Sequence, residues 1–283
     1  MSANGSFLGR VFRPFDRRPT VAVIRLAGVI GVGGPLPLRG NLTLGGLAGP
    51  IDRAFSLKHL SAVALAVNSP GGSPVQSALI AKRIRDLARE RDVPILAFVE
   101  DIAASGGYWL ACAGDEIFAD ASSIVGSIGV ITAGFGFPEL LGRLGIERRV
   151  HSTAPRKAML DPFRPEKPED VALLTALQQD IYEVFKSHVR ERRGRRLKLD
   201  ETKLFSGEVW SGQRAAEYGL VDGLGDMRSV LRQRFGDKVR LVPVGARRGW
   251  IARRFAPAGE ERDWAGEIVS ALEARAMWAR FGL

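Results

Sequence analysis

Two glycine-rich turns in this sequence each follow a strand-like apolar run and precede a helical pattern. The first reads Asn-Ser-Pro-Gly-Gly-Ser at residues 68–73, and the second reads Ala-Ala-Ser-Gly-Gly-Tyr-Trp at residues 103–109. Glycines let the backbone approach a ligand closely, and a helix start leaves N–H groups free for a developing negative charge. Because α/β folds place ligands where a strand ends, these turns are the first candidates for a catalytic site.

Ser105, in the second turn, is the candidate nucleophile. It lies among small uncharged residues at the head of a helical pattern, although the G-x-S-x-G spacing of hydrolase elbows is absent. A serine hydroxyl is a weak nucleophile and needs a base. The sequence has three histidines, and none of them lies in either turn (His59, His151 and His188). With the single Cys112 they form no pattern typical of a metal site, so no metal and no cofactor are expected.

Lys157 is the candidate base, because a neutral lysine amine replaces histidine in some serine hydrolases. It precedes an apolar run in a chain that has 8 Lys against 33 Arg. Arginine cannot take this role, because it does not lose its proton. The residues alone leave open that Lys157 is an ordinary loop cation beside Arg156.

Strand-like runs alternate with helical patterns along most of the chain. The runs lie at 20–26, 61–67, 94–99, 115–119, 147–151 and 239–244, and the helical patterns at 73–91, 105–112 and 169–193. This alternation predicts an α/β fold of βαβ-type units with a twisted, mostly parallel sheet. Residues 28–50, with eight Gly and three Pro, predict a loose surface loop or a lid over the site.

No repeat or low-complexity linker divides the chain, which predicts a single domain over residues 20–245. Residues 1–19 form a basic tail in this prediction, and residues 246–283 a basic segment followed by an amphipathic C-terminal helix. The 46% apolar and 25% charged composition is that of a globular protein, which excludes a disordered, collagen-like or disulfide-scaffold chain.

The net charge of +10 is concentrated at residues 1–20, 186–203 and 246–256. No recognisable nucleic-acid-binding motif accompanies these runs, so solvated faces or contact with an anionic membrane surface are preferred to nucleic-acid binding. The longest uncharged stretch is too short and too rich in Gly and Ser to cross a membrane, and residues 1–20 lack the apolar core of a signal peptide. We expect a protein of the cytoplasm, free or peripheral on the cytoplasmic membrane.

Four motifs in order make the sequence similar to one known family over residues 21–244. They are N-S-P-G-G at 68–72, A-A-S-G-G-Y-W at 103–109, G-S-I-G-V at 126–130 and K-x-x-x-D-P-F at 157–163. Together they resemble the signal peptide peptidase A (protease IV) family of bacterial serine proteases. The resemblance implies a Clp/crotonase-like fold and a Ser–Lys dyad.

The resemblance also implies a role for each matched residue. Ser105 is expected to be the nucleophile, Lys157 the general base and Ser127 the hydroxyl that orients the lysine amine. The backbone N–H groups of Gly72 and Gly106 are expected to form the oxyanion hole, and Gly71 and Ser127 to contact the substrate. Short members of the family form rings in which neighbouring subunits contribute the serine and the lysine, so a homo-oligomer is expected.

The resulting hypothesis is a serine endopeptidase that cleaves extended apolar peptides through an acyl-enzyme, with remnant signal peptides or membrane-derived segments as substrates. One alternative is an inert scaffold that bridges membrane-associated partners, and the presence of both Ser105 and Lys157 argues against it. Another is an acyl-CoA enzyme of the crotonase type, and the absence of carboxylates in the two turns disfavours it. The motifs of dinucleotide-binding and P-loop proteins are absent.

Overall fold

The computed structural model describes residues 18–31, 41–154, 156–245 and 275–283. The strands in these ranges are β1 (Thr20–Ala27), β2 (Leu60–Ser69), β3 (Ile95–Ala104), β4 (Glu116–Ala119), β5 (Ile124–Gly126), β6 (Val209–Ser211), β7 (Gly223–Leu224) and β8 (Arg240–Pro243). The helices are α1 (Leu44–Phe55), α2 (Pro74–Arg91), α3 (Gly106–Ala111), α4 (Pro138–Arg143), α5 (Pro168–Arg193), α6 (Glu201–Leu204), α7 (Gly212–Glu217) and α8 (Met227–Phe235).

The eight strands form one sheet in the order β6-β5-β3-β2-β1-β8, and β4 joins β3 to β7. Every pairing is parallel except that of β5 with β6. The predicted α/β fold with a mostly parallel sheet is therefore confirmed. β3 pairs first with β4 and then with β5, so its carboxyl end lies between β2 and β5.

Both faces of the central strands are covered, which explains why the sequence of β2 is apolar without alternation. Its residues from Ala62 to Val67 are all buried. The larger core cluster on one face includes residues of α1, α2 and α3, and the smaller cluster on the other face includes Leu231 of α8. The apolar side chains predicted for the inner side of α2, such as Ile80 and Ile84, are fully buried.

Two details differ from the sequence-based predictions, and a third prediction falls largely outside the described residues. Residues 147–151 form no strand, because they lie within an exposed segment (residues 131–167) where no neighbouring strand pairs with them. Residues 28–50 are not all loop: Ile30 pairs with both Leu42 and Gly72, and α1 begins at Leu44. Residues 275–279 are helical, while residues 1–17 and 246–274 of the predicted tail, basic segment and C-terminal helix lie outside the described residues.

The exposed segment is held together by contacts among its own residues. The backbone N–H of Phe137 donates to the Pro162 carbonyl at 2.6 Å, and the rings of Phe137 and Phe163 lie 5.8 Å apart. Asp161 accepts a hydrogen bond from the Arg148 guanidinium at 3.1 Å. No described residue between 131 and 169 is buried, so this segment contributes nothing to the core described above.

Candidate active site

The carboxyl ends of β2, β3 and β5 meet at one edge of the sheet because the three strands are parallel. Ser69 of β2 pairs with Ala103 of β3, and Ala104 pairs with Gly126 of β5. The backbone N–H of Ser105 continues this register by donating to the Gly126 carbonyl at 2.8 Å. Strand pairing thus brings together three motifs that are separated in the sequence.

Ser105 lies at a strained corner between β3 and α3. Its φ of +52° and ψ of −121° lie outside the backbone conformations that residues other than glycine normally adopt. Ser105 is partly exposed, whereas residues 102–104 and 106–113 on either side are buried. Strained backbone of this kind clusters at functional sites. The corner presents one hydroxyl from an otherwise buried stretch of chain.

Gly71 is pressed against this corner. A Cβ atom at Gly71 would lie 2.8 Å from the Ser105 Cβ and 3.0 Å from the Gly106 nitrogen. The φ of Gly71 is +109°, which also favours glycine. Only glycine therefore allows the first turn to approach the second this closely.

Two unpaired backbone donors flank Ser105. In the part of the chain that the structure describes, the N–H groups of Gly72 and Gly106 donate no hydrogen bond. A Cβ atom on Gly106 would lie 3.4 Å from the Gly72 nitrogen, so the two turns are in close contact. Gly106 is buried and Gly72 is partly buried. Two unpaired donors this close together are suited to bind a negatively charged oxygen.

Ser127 lies directly after β5, beside the Ser105 turn. It has a positive φ of +53°, and its backbone N–H donates to the Glu208 carbonyl at 2.7 Å. Ser127 is partly exposed, whereas Gly126 before it and Ile128 after it are buried. Five of the six predicted site residues thus lie on turns at the same sheet edge, namely Ser105, Ser127, Gly71, Gly72 and Gly106.

Lys157 forms no hydrogen bond with the residues of this group in the single chain. It is exposed within the exposed segment, and its side chain forms no hydrogen bond or ion pair with any described residue. Its backbone N–H donates to the Ala154 carbonyl at 3.1 Å in a turn. Within one copy, no hydrogen bond connects Lys157 to Ser105 or Ser127.

Asp161 organises the chain after Lys157, a role that the sequence reasoning missed. Its carboxylate accepts a hydrogen bond from the Phe163 backbone N–H, lies 3.1 Å from Arg148 and lies 3.8 Å from Arg164. The Phe163 N–H and the two arginines lower the pKa of this carboxyl. Aspartate followed by proline is a turn signal that could have indicated this.

His188 packs against α3 through Trp109. Its ring stacks on Trp109 at 5.2 Å between centroids, and its Nε2 lies 3.2 Å from the Trp109 carbonyl oxygen. The Trp109 N–H donates to the Ser105 carbonyl at 3.0 Å. Burial lowers the pKa of His188 from 6.5 to about 4. The sequence indicated a surface residue or a hydrogen-bonded core residue at His188, and its contact with the helix that follows Ser105 was not predicted.

The buried His188 predicts a loss of stability in mild acid. Its pKa is lower in the folded than in the unfolded protein, so the unfolded state binds the extra proton as the pH falls. The free energy of unfolding should fall by roughly 3 kcal/mol between about pH 6.5 and pH 4 through this residue. Urea unfolding across this range should show a smaller decrease for His188→Gln than for wild type. The exposed His151→Gln variant should match wild type, and equal slopes for all three proteins would contradict the prediction.

Among the described residues, no group of three or more His, Cys, Asp or Glu is arranged to hold a metal ion. In the same ranges, no helix combines the length and the apolar character needed to cross a membrane.

Comparison with known proteins gives one family and several relatives. The model of a family described as "Peptidase family S49" matches residues 88–237. The chain is 51% identical over 273 residues to a Na⁺/H⁺ antiporter NhaA of Brucella abortus, covering 93% of this chain and 37% of that protein. It is 33% identical over 218 residues to the chloroplastic serine protease SPPA of Arabidopsis thaliana, covering 76% of this chain and 32% of that protein.

Two further similarities are to proteases. A putative signal peptide peptidase SppA of Enterococcus faecium is 34% identical over 175 residues, covering 62% of this chain and 50% of that protein. A solved structure of a membrane-bound stomatin-specific protease superposes with a TM-score of 0.49 and 13% identity, over 81% of this chain and 98% of that one. The chain spans about a third of the length of the first curated relatives it matches.

Proposed function

Because the chain belongs to peptidase family S49, we propose that it is a serine endopeptidase in which Ser105 is the nucleophile and Lys157 the general base. The family match and the relatives named as proteases support this activity. The observation that carries the proposal is the strained, partly exposed Ser105 beside the unpaired N–H groups of Gly72 and Gly106. A nucleophile next to preorganised donors is the arrangement that acyl transfer requires.

The proposed reaction proceeds through an acyl-enzyme. The Ser105 Oγ attacks the peptide carbonyl carbon and gives its proton to the neutral Lys157 amine, which Ser127 orients. The carbonyl oxygen becomes an oxyanion that accepts hydrogen bonds from the N–H groups of Gly72 and Gly106. The C–N bond then breaks, and the leaving amine takes the proton from Lys157. Water repeats the sequence on the ester, with Lys157 again as base, and frees Ser105.

Lys157 is proposed to act on the site of a neighbouring copy. A lysine amine in water keeps its proton, so a lysine base must be desolvated. Lys157 is exposed in one copy, and the exposed segment around it carries large apolar side chains that are also exposed. These are Ile131, Phe135, Phe137, Leu140, Leu144, Ile146 and Phe163. Exposed apolar side chains in such number are typical of an interaction surface, which supports a homo-oligomer, proposed to be a ring, that covers both the segment and the lysine.

The proposed substrates are extended apolar peptides, such as remnant signal peptides or segments derived from membrane proteins. The relative named as a putative signal peptide peptidase supports this class. The substrate backbone is proposed to lie along the turns of Gly71 and Ser127, at the edge where β2, β3 and β5 end. The proposed location is the cytoplasm or, through the basic runs at residues 1–20, 186–203 and 246–256, the face of the cytoplasmic membrane.

The proposal is tested by labelling and hydrolysis with the full chain. A fluorophosphonate probe, which reacts with activated serines, should modify Ser105 in the oligomer, and mass spectrometry should locate the adduct there. The same protein should cleave casein and an unstructured apolar peptide. The exposed Ser122→Ala variant is the matched control and should keep both properties. An oligomer that neither reacts with the probe nor hydrolyses either substrate would refute the endopeptidase assignment.

A further inference from the structure

We propose that Ser69 is a positioning residue, which holds the Gly72 and Gly106 N–H groups in place as a pair. This inference rests on the proposed function, because it assigns the device that builds the oxyanion hole. Ser69 is the last residue of β2, and it is fully buried. The proposed reaction gives the Ser69 hydroxyl no role, since a fully buried hydroxyl cannot reach the substrate.

Ser69 and Ile30 together fix the orientation of the first donor. The Ser69 hydroxyl accepts the Gly71 N–H at 3.2 Å, and the Ile30 N–H donates to the Gly71 carbonyl at 2.8 Å. In a trans peptide the carbonyl and the following N–H point in opposite directions. Because the Gly71 carbonyl points to Ile30, the Gly72 N–H must point away from Ile30 and remains unpaired among the described residues.

The backbone of Ser69 also contacts the helix that carries the second donor. A Cβ atom on Gly107 would overlap the Ser69 carbonyl oxygen, so the start of α3 rests directly on Ser69. Gly106, the first residue of α3, carries the second N–H group, which donates to no described residue. Ser69 therefore contacts both turns, the first through its hydroxyl and the second through its carbonyl.

Loss of the hydroxyl should affect the transition state more than substrate binding. In Ser69→Ala the Gly71 N–H would be buried without an acceptor, and the turn would rotate to pair it. The Gly72 N–H would rotate with it, away from the position of the oxyanion. Since removal of one such donor costs about 10²–10³ in kcat, a displaced donor should lower kcat by about 10- to 100-fold. KM should change by less than about twofold, because the donor acts mainly after attack.

The test compares Ser69→Ala and Ser69→Cys with wild type and with Ser123→Ala. Ser123 is also a buried serine, and its hydroxyl donates to the Glu100 carbonyl and accepts the Asp120 N–H. It precedes β5, whereas the candidate site lies where β5 ends. The endpoint of fluorophosphonate labelling counts folded sites, so that kcat is expressed per competent site. A peptide aldehyde is the second probe, because its hemiacetal oxygen occupies the oxyanion position.

For Ser69→Ala we expect a lower kcat per labelled site and an aldehyde Ki raised by a similar factor, with KM unchanged. Ser69→Cys keeps a weaker acceptor and should lie between Ser69→Ala and wild type. Wild-type kcat and Ki in both Ser69 variants, or an equal loss in Ser123→Ala, would overturn the positioning role while leaving the endopeptidase in place. A wild-type protein that neither labels nor hydrolyses would instead overturn the proposed function itself.

Discussion

Ser105→Ala and Lys157→Ala should each lower kcat for peptide hydrolysis by at least about 10³-fold, to near the background of the assay. The first variant removes the atom that forms the ester, and the second removes the acceptor of its proton. Neither side chain belongs to the core, since Ser105 is only partly buried and Lys157 is exposed. Thermal unfolding and the oligomeric state should therefore remain those of wild type.

Lys167→Ala is the matched control for the lysine, because Lys167 is an exposed cation at the end of the same segment. It should retain wild-type kcat. Retention of more than about a tenth of the activity by either dyad variant would contradict the roles of Ser105 and Lys157.

Mixing the two inactive variants tests where the lysine comes from. If each site takes Ser105 from one copy and Lys157 from the next, mixed oligomers contain some sites with both residues. Dissociation and reassembly of an equal mixture should restore on the order of a quarter of the wild-type activity, as random pairing of independent sites requires. No recovery in verified mixed oligomers would show that the two residues act within one chain.

Gly72→Ala should cause the second large loss, lowering kcat by about 10²-fold or more. A Cβ atom at Gly72 would overlap the Ile30 carbonyl oxygen, and the φ of +138° is one that alanine rarely adopts. The clash is with backbone, so a side-chain rotation cannot relieve it. The turn must move, and the Gly72 N–H must leave its position beside Gly106.

Gly236→Ala separates this effect from simple backbone strain. Gly236 ends α8 with a φ of +86°, and a Cβ atom there would meet nothing within 4 Å. It should lose some stability from strain but keep its kcat per folded site. Steady-state kinetics and thermal unfolding of both variants give the comparison. Equal kcat per folded site for Gly72→Ala and wild type would remove Gly72 from the oxyanion hole.

The long helices and the central strands could be predicted from the sequence, because each depends on the spacing of apolar residues within one segment. The apolar run of β2 and the helical spacing of α2 and α5 predicted those elements close to their observed bounds. The prediction of a strand at 147–151 was wrong. The composition of this segment is compatible with a strand, but no described strand pairs with it. Conversely, β5, β6 and β7 have two or three residues each, and they exist through pairing rather than propensity.

Local sequence was sufficient to identify the candidate residues and the two glycine-rich turns, because a turn depends on a few adjacent residues. The folded chain was needed to show that Gly72 and Gly106 lie close together, with N–H groups that donate no hydrogen bond to a described residue. It was also needed to show that Ser69 contacts both turns. The same holds for the exposure of Lys157, whose side chain forms no hydrogen bond or ion pair with a described residue in one copy. Parallel pairing of β2, β3 and β5 joins segments that are distant in sequence, and burial is a property of that assembly rather than of any one segment.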